Sequence, residues 1–456
     1  METGAVKKSV LFVTTLAVFL TPFGISSVNI ALPSIGKEFL MDAILLGWVN
    51  LAYLLATAMF LVPFGKVADI YGRKRIFIYG IITFTSGSVG SLVSTSAAML
   101  VGFRILQGIG AAAMYPVGIA ILTSTFPLGE LGKVLGINGV SVYLGFSMGP
   151  FLGGLLTHYY GWRSIFFVNV FVGSIVIFLV FWKLKGEWYG ARGDKFDLTG
   201  SAIYGGVLLL IMIGFSQLST MTGACLVLLG FLGILVFIKW ETKVKSPVLE
   251  ITLFKENRVF ALSNLATFIN YGATSSITFL LSLYLQYVKN LPPEKAGLIL
   301  VCQPIVQGLF SPYSGKLSDR IEPRRVASIG MALTAVGLFL LTLLNEKTTS
   351  GFIVATLVLL GFSFALFTAP NANAVMRSVE NRFYGMAAGT LSTMRMTGMV
   401  FSTGVVLLIL SIFIGKVQIT PQYYPLFLRC MKLTFTFFGI FCFGGIYASL
   451  ASGNVR

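Results

Sequence analysis

Two charged strings interrupt an otherwise apolar chain, and their residue types suit ion pairs that form and break. Residues 65–76 read G-K-V-A-D-I-Y-G-R-K-R-I and lie between two apolar runs. Gly65 and Gly72 would let the backbone turn tightly, and Asp69 would end a helix and pair with a guanidinium across the loop. The cations expected to stay in water are Arg73, Lys74 and Arg75. The string therefore predicts a charged latch between two helices.

A similar string returns in the second half of the chain, at residues 315–325. It begins G-K-L-S-D-R and ends with two further arginines, so that Gly, Lys, an apolar residue, a small residue and Asp recur at the same offsets. Asp319 and Arg320 would then belong to a second latch. Two related halves, each with a charged latch, are what an alternating-access transporter requires.

Two arginines, Arg104 and Arg395, fall inside apolar runs. A charge at that depth costs at least ~2.5 kcal/mol, so it normally faces a polar cavity or a partner. None of the 16 acidic residues falls well inside a span, so the partners would be backbone, hydroxyls, water or a substrate anion. We expect a role in proton coupling or substrate charge, and a substrate that is neutral or anionic. The alternative is that both arginines are structural and that substrates bind by hydrophobic contact.

Small residues and a proline recur in the fifth apolar run. Such residues let another helix approach closely, and the proline frees a carbonyl and permits a bend. The predicted hinge consists of Gly145, Gly149, Pro150, Gly153 and Gly154. Plain close packing is the alternative, and the two interpretations are compatible.

Polar and aromatic residues inside the apolar runs are candidates for a substrate cavity. They are Asn29, Asn50, Tyr53, Gln107, Tyr115, Asn138, Asn270, Tyr271, Gln303, Gln307, Asn371 and Asn373. Each of them could instead form a hydrogen bond between two helices, as polar side chains often do in membrane bundles.

The elements that must position these residues are membrane helices. With 56% hydrophobic residues and a mean hydropathy of +0.88, the chain has runs of about 20 apolar residues, the length that crosses a bilayer. We predict fourteen spans, at 9–32, 45–65, 76–96, 98–124, 134–157, 163–184, 198–217, 222–240, 259–288, 295–315, 324–344, 350–372, 384–414 and 427–450. The first is a span and not a cleaved signal, because its apolar run is long and has no small-residue cleavage site.

The net charge of +17 is distributed in short loops and not in one basic surface. Most of the 33 Lys and Arg residues fall on the side that carries both termini, which predicts cytoplasmic termini and no nucleic-acid partner. No loop is long enough for a soluble domain. The four cysteines lack paired spacing, so we expect them to serve packing and not disulfides or metal binding.

These strings together resemble the major facilitator superfamily, and in particular its 14-span drug:proton antiporter branch. Residues 65–76, 104–113 and 145–154 resemble its signatures around spans 2–3, 4 and 5. The other strings that resemble this branch are Asn29-Ile-Ala-Leu-Pro33, Trp48, Tyr53-Leu-Leu, Leu253-Phe254 and Tyr284-Leu-Gln286. The resemblance extends over nearly the whole chain.

The resemblance implies an all-α membrane fold of two six-helix bundles, 1–197 and 246–456, with two extra central helices at 198–245. It places the substrate site near the bilayer midplane, between bundles that rock about it. One departure concerns proton coupling, since the branch usually has an aspartate where this chain has Gly24. Coupling through Asp69, Asp319 or the substrate's own charge, or uncoupled transport, remains open.

We therefore expect a monomeric cell-membrane transporter that exports an amphiphilic small molecule, with protons as the possible coupling ion and no cofactor. The alternative is a dedicated exporter or uniporter of a neutral or anionic metabolite. A membrane enzyme would need His, Asp and Glu clustered near the surface. The single histidine, His158, and the scattered loop acids argue against it.

Overall fold

The computed structural model describes residues 2–452, except 185, 219, 245, 246, 248, 250 and 381–383. Eight helices lie among the described residues between 2 and 241. They are α1 (Glu2–Glu38), α2 (Ala43–Tyr71), α3 (Arg73–Leu92), α4 (Ala97–Thr125), α5 (Leu128–Tyr160), α6 (Arg163–Lys183), α7 (Leu198–Ser216) and α8 (Met221–Glu241).

The second half begins with a short helix and a broken one. Its elements are α9 (Ile251–Glu256), α10 (Arg258–Thr274), α11 (Ser276–Leu283), a π-helical turn (Tyr284–Val288), α12 (Pro293–Leu300), α13 (Cys302–Arg320), α14 (Pro323–Leu341), α15 (Ser350–Arg377), α16 (Tyr384–Phe413), a 3-10 turn (Pro421–Tyr423) and α17 (Tyr424–Ala451).

Within the described residues, twelve helical segments are long and apolar enough to cross a membrane. Two of the fourteen expected spans do not meet that criterion. The third, α3, is 20 residues long and carries three cations in its first turn together with serines, threonines and glycines. The ninth is divided at Ser275 into α10 and α11, of 17 and 8 residues. The count of fourteen therefore stays a prediction.

Helix contacts recur in the two halves, as the internal repeat predicts. In the first half α4 packs against α2 and α3, and α3 packs against α6. In the second half α15 packs against α13 and α14, and α14 packs against α17. Glycines permit the close approach in both: a Cβ on Gly110 would meet the backbone of Phe84, and one on Gly330 would lie 2.7 Å from the Phe367 nitrogen.

The start of α1, the end of α17 and both charged strings lie at one end of the bundle, which we call the terminal face. Lys7 of α1 pairs with Glu130 at the start of α5 at 3.2 Å. Arg324, next to the second string, donates to the Leu450 carbonyl near the end of α17 at 3.3 Å. The other end of the bundle, with the α1–α2 and α5–α6 connections, is the opposite face.

The first charged string is not an extended loop. Helix α2 runs through Gly65 to Tyr71, and α3 begins at Arg73, so Gly72 alone makes the turn with φ = +114°. Gly65 was expected to turn the chain, but it lies inside a helix and nothing is within 4 Å of a Cβ placed there. Helix α13 likewise continues to Arg320.

The two central helices lie beside the bundle. Helix α7 packs against α8, α2 and α16, and thus contacts both halves. Tyr204 of α7 donates to the Ala58 carbonyl of α2 at 3.2 Å, and a Cβ on Gly404 of α16 would lie 2.8 Å from the Met212 sulfur. Helix α8 packs mainly against α7, and most of its side chains face outward.

Candidate functional site: a cavity between the halves

A cavity of about 340 Å³ lies between the two halves. Its walls come from α1, α2, α4 and α5 on one side and from α10, α11, α12, α13, α15 and α16 on the other. Eight of the predicted cavity residues line it, and they are Asn29, Asn50, Tyr115, Asn138, Asn270, Tyr271, Gln303 and Gln307. Leu135 and Met376, near helix ends at the terminal face, also line it, so the cavity extends toward that face.

Four predicted residues lie elsewhere. Tyr53 and Gln107 belong to a buried cluster around Arg104 and do not line the cavity. Asn371 donates to the Ser263 carbonyl and the Thr267 hydroxyl, at 3.1 and 2.7 Å, and links α15 to α10. Asn373 donates to the Ser318 hydroxyl of α13 at 2.7 Å. These asparagines form the helix–helix hydrogen bonds that were the alternative interpretation.

Arg104 does not line the cavity, and its contacts are those of the structural alternative; its role in proton coupling or substrate charge stays a prediction. Its Nε donates to the Val49 carbonyl of α2 at 3.1 Å, and Nη1 donates to the Gly24 carbonyl of α1 at 3.4 Å and to Gln107 Oε1 at 2.8 Å. The guanidinium carbon lies 4.3 Å from the centre of the Tyr53 ring. Arg104 therefore ties α1, α2 and α4 together through carbonyls and an aromatic face.

Arg395, in contrast, lines the cavity from α16. Its guanidinium carbon lies 5.6 Å from the centre of the Tyr271 ring, and its Nε is buried with no hydrogen-bond partner. Among the described lining residues there is no Asp or Glu, and Arg395 alone carries a formal charge. The cavity is thus a largely apolar, partly aromatic space with scattered polar groups and one cation.

The break between α10 and α11 brings hydroxyls to the cavity that the sequence did not single out. Thr274, Ser275 and Thr278 line it at this point. The Ser276 amide donates to the Ser402 hydroxyl of α16 at 3.1 Å, which supports the interruption. Tyr143 of α5 was also missed; it lines the cavity and accepts from the Ser311 hydroxyl of α13 at 3.3 Å. Tyr143 lies two residues before Gly145, and this position beside the predicted hinge was the signal in the sequence that could have identified it.

The two halves meet closely toward the opposite face. The Ser282 hydroxyl of α11 donates to the Asn29 carbonyl of α1 at 2.7 Å, and Gln286 donates to the Ile30 carbonyl at 2.9 Å. A Cβ on Gly154 of α5 would lie 2.6 Å from the Pro293 carbonyl of α12, and one on Gly297 would meet the Pro150 carbonyl. These contacts close the cavity on that side.

The predicted hinge residues make tight contacts along α5. Gly145, Gly149 and Gly153 face α1. A Cβ on Gly145 would lie 2.6 Å from Pro22, and one on Gly149 would meet Ser26. A Cβ on Gly153 would lie 2.9 Å from the Ser27 Cα. Gly154 faces α12 instead, and Pro150 lines the cavity. Residues 145–154 of α5 therefore contact α1 of the first half and α12 of the second half. Their action as a hinge stays a prediction.

The latch aspartates each pair within their own half. Asp69 accepts from Arg73 at 2.7 Å, and Asp319 accepts from Arg377 at 2.6 Å. Arg73 was expected to stay in water, but its side chain is only 14% exposed and also donates to the Ala120 carbonyl at 2.9 Å and to the Ser124 hydroxyl. The short one-residue turn at Gly72 places this arginine against the end of α4. Arg320 is exposed.

The connection between α6 and α7 covers the first latch. The amides of Gly190 and Ala191 donate to the Asp69 carbonyl at 3.1 and 3.0 Å. The Glu187 carboxylate accepts from the amides of Lys74 and Arg75, at 2.6 and 3.2 Å, and so caps the start of α3. Such a carboxylate is favourable at a helix N-terminus because of the free amides there.

The family model described as Major Facilitator Superfamily matches residues 14–239 and 264–452. The riboflavin transporter RibZ of Clostridioides difficile (strain 630) is 29% identical over 85% of this chain and 84% of its own length. The multidrug resistance protein Stp of Mycobacterium tuberculosis is 31% identical over 85% of this chain and 73% of its own.

A solved structure has the same fold. The bacterial homolog to the human lysosomal transporter Spinster superposes with a TM-score of 0.68 at 16% identity, covering 99% of this chain and 97% of that one.

Proposed function

Because the chain belongs to the Major Facilitator Superfamily, and is therefore a multi-pass membrane transporter and not an enzyme, we propose that it exports amphiphilic small molecules by alternating access. The substrates are of the multidrug type and the export uses a proton gradient. Relatives that carry multidrug resistance or efflux in their names support this choice.

One observation carries the proposal, and it is the cavity between the halves. Its wall combines apolar residues with amides, hydroxyls and tyrosines, a composition that suits an amphiphile with few fixed polar contacts. It extends toward the terminal face and is closed toward the opposite face by contacts between α1, α5, α11 and α12. Export requires these contacts to separate while the terminal face closes.

In the membrane, we place the termini in the cytoplasm on the basis of the cation bias of the loops. With α3 and the broken α10–α11 segment counted as spans, the chain has fourteen. Residues 1–197 and 246–456 form the two bundles, 198–245 forms the added pair, and the unit of transport is the monomer. The Asp69 and Asp319 latches hold the cytoplasmic side closed in the outward-facing state.

Proton coupling needs a carrier other than a cavity carboxylate, because the described lining residues include none. Asp69, Asp319 and His158 are the candidates. His158 lies 3.9 Å from Glu294, so this pair joins α5 of the first half to α12 of the second at the opposite face.

The test is transport into inverted membrane vesicles that contain the protein. Three dansyl amphiphiles share a fluorophore and a five-carbon chain and differ only in the end group: N-dansyl-6-aminohexanoate, its primary amide and dansylcadaverine. We expect at least one to accumulate faster than in empty vesicles when the interior is acid, and an uncoupler to abolish the difference.

Two results would contradict parts of the proposal. If none of the three accumulates beyond the empty-vesicle level, export of amphiphiles is wrong. If accumulation is the same with and without the pH gradient, export stands and proton coupling is wrong.

A further inference from the structure

We propose that Arg395 forms an anion subsite in the cavity, and that the preferred substrate is an aromatic amphiphile with a carboxylate. This inference rests on the proposed export function and specifies the substrate class of the same site. The carboxylate lies at the guanidinium, and the aromatic body lies against the tyrosines around it.

The charge of the cavity is the first argument. Among the described lining residues, the Arg395 cation has no acidic counterpart. A cation that leaves water without a partner is costly, and an anion that accepts from it recovers part of that cost. A cationic substrate would instead meet a like charge at close range with no carboxylate to offset it.

The unpaired Nε of Arg395 is the second argument, since the side-chain hydrogen bond of this guanidinium goes to Tyr115 in the cavity wall. Its Nε is buried without a partner, whereas the Nε of Arg104 donates to the Val49 carbonyl and only Nη2 of Arg104 lacks one. Both arginines lie in membrane helices, yet only Arg104 is tied to backbone carbonyls of two other helices. A guanidinium offers its donors as a planar fork that matches a carboxylate. Arg395 thus presents to the cavity the geometry that recognises this group.

The aromatic wall is the third argument. Tyr115, Tyr143 and Tyr271 line the cavity around Arg395 from α4, α5 and α10, and Phe146 and Phe364 extend the wall. Rings of this kind contact planar aromatic ligands by stacking or edge-to-face packing. The cavity volume of about 340 Å³ is at the lower end of the range for small-molecule sites. A compact aromatic carboxylate therefore fits better than a bulky one.

Binding of the three dansyl probes to the purified protein in detergent tests this assignment. Dansyl fluorescence reports transfer from water to the cavity, and detergent without protein gives the background. We expect N-dansyl-6-aminohexanoate to bind about 10- to 100-fold more tightly than dansylcadaverine, as a charged hydrogen bond implies. The neutral amide should fall between them.

Variants of Arg395 separate charge from volume. Arg395→Met keeps a long side chain without the charge and should abolish the preference for the anion. Arg395→Lys keeps the charge and should retain part of the preference. Arg429→Met is the control, since Arg429 lies 5.2 Å from the Phe413 ring in a similar cation–aromatic contact but does not line the cavity. The anion preference of the Arg429→Met protein should equal that of the wild type.

Three outcomes would overturn the inference. Equal affinities for the three probes, or a preference for dansylcadaverine, would overturn it while leaving amphiphile export intact. An anion preference that survives in correctly folded Arg395→Met would place the anion elsewhere. Failure of all three probes to bind or be transported would contradict both the inference and the proposed function.

Discussion

Arg104 and Arg395 show how the environment of a single residue decides its role. Arg104 is fully buried, and its donors reach carbonyls on α1 and α2 and the amide of Gln107, which in turn donates to Ser88 of α3 at 2.6 Å. This network spans four helices of the first half. Arg395 has a side-chain hydrogen bond with Tyr115, but its Nε has no partner and it lines the cavity. The first arginine holds helices together, and the second is available to a ligand.

Gly72 is the residue on which the first latch depends for its shape. Its φ of +114° disfavours any residue with a Cβ, and that Cβ would lie 2.7 Å from the Glu187 carboxyl carbon. We expect Gly72→Ala to lower the free energy of unfolding by about 1–3 kcal/mol, through backbone strain and displacement of the α3 cap. Thermal unfolding of the purified protein measures the loss.

Gly65→Ala is the matched control, seven residues earlier in the same string. Gly65 is helical and nothing lies within 4 Å of its Cβ position, so alanine should leave stability unchanged or raise it by up to about 1 kcal/mol. A loss of the same size in both variants would show that Gly72 has no special role in the turn.

Helices α5, α11 and α12 are the elements that close the opposite face. Helix α11 begins after the break at Ser275, and its hydroxyl at Ser282 reaches the α1 backbone. Helix α5 approaches α12 at Gly154, where there is no space for a side chain. Because the closest of these contacts depend on small residues, single substitutions should shift the balance between the closed and open arrangements.

We expect Gly154→Ala to open the opposite face more often. Its Cβ would lie 2.6 Å from the Pro293 carbonyl, so α5 and α12 must separate. The measurement is maleimide labelling of Ser282→Cys in a background without the four native cysteines, with reagent supplied from the opposite face. The labelling rate should rise about fivefold or more, which corresponds to about 1 kcal/mol.

Gly136→Ala provides the control on the same helix. A Cβ at Gly136 has no neighbour within 4 Å, so the labelling rate of Ser282→Cys should not change. Equal labelling of the Gly154→Ala and Gly136→Ala proteins would mean that close packing at Gly154 does not hold the face shut.

At the scale of the whole molecule, the state of the latches agrees with a cavity closed toward the opposite face. Asp69 and Asp319 pair with arginines of their own halves, while hydrogen bonds between halves lie near Asn29, Ile30 and Gln286. Alternating access requires the two sets of contacts to exchange. The first latch is further held by the connection between α6 and α7.

We therefore expect Asp69→Asn to slow transport while leaving the protein folded. The substitution removes the charge with which Asp69 would hold the cytoplasmic side closed in the outward-facing state, and it also weakens the present pair with Arg73. Conformational couplings are typically about 1–3 kcal/mol, so the rate should fall about fivefold or more. The initial rate of dansyl-probe uptake into inverted vesicles and the melting temperature are the two measurements.

Asp194→Asn is the control for charge on the same face. Asp194 pairs with Lys66 at 3.1 Å and is 45% exposed, so its loss should have little effect on either quantity. An unchanged rate for Asp69→Asn would remove the latch role of Asp69.

The sequence by itself determined the membrane character and most of the helices, and it predicted two related halves. Runs of about 20 apolar residues have one stable arrangement in a bilayer, because every backbone donor and acceptor must be satisfied within a helix. The repeated string around Asp69 and Asp319 was sufficient to predict the duplication, since like residues at like offsets occur at equivalent helix ends. Eight of the cavity residues followed from polarity inside apolar runs.

Only the tertiary structure decided which side of each helix faces the cavity. Helices that are apolar all round have no amphipathic face, so periodicity does not distinguish surfaces that contact lipid, another helix or the cavity. For this reason the sequence treated Arg104 and Arg395 alike, and placed Tyr53, Gln107 and Asn371 in the cavity. The break at Ser275 has no proline beside it, and the amide of Ser276 finds its partner in Ser402 of another helix, which the local sequence does not reveal. These features depend on contacts between segments far apart in the chain.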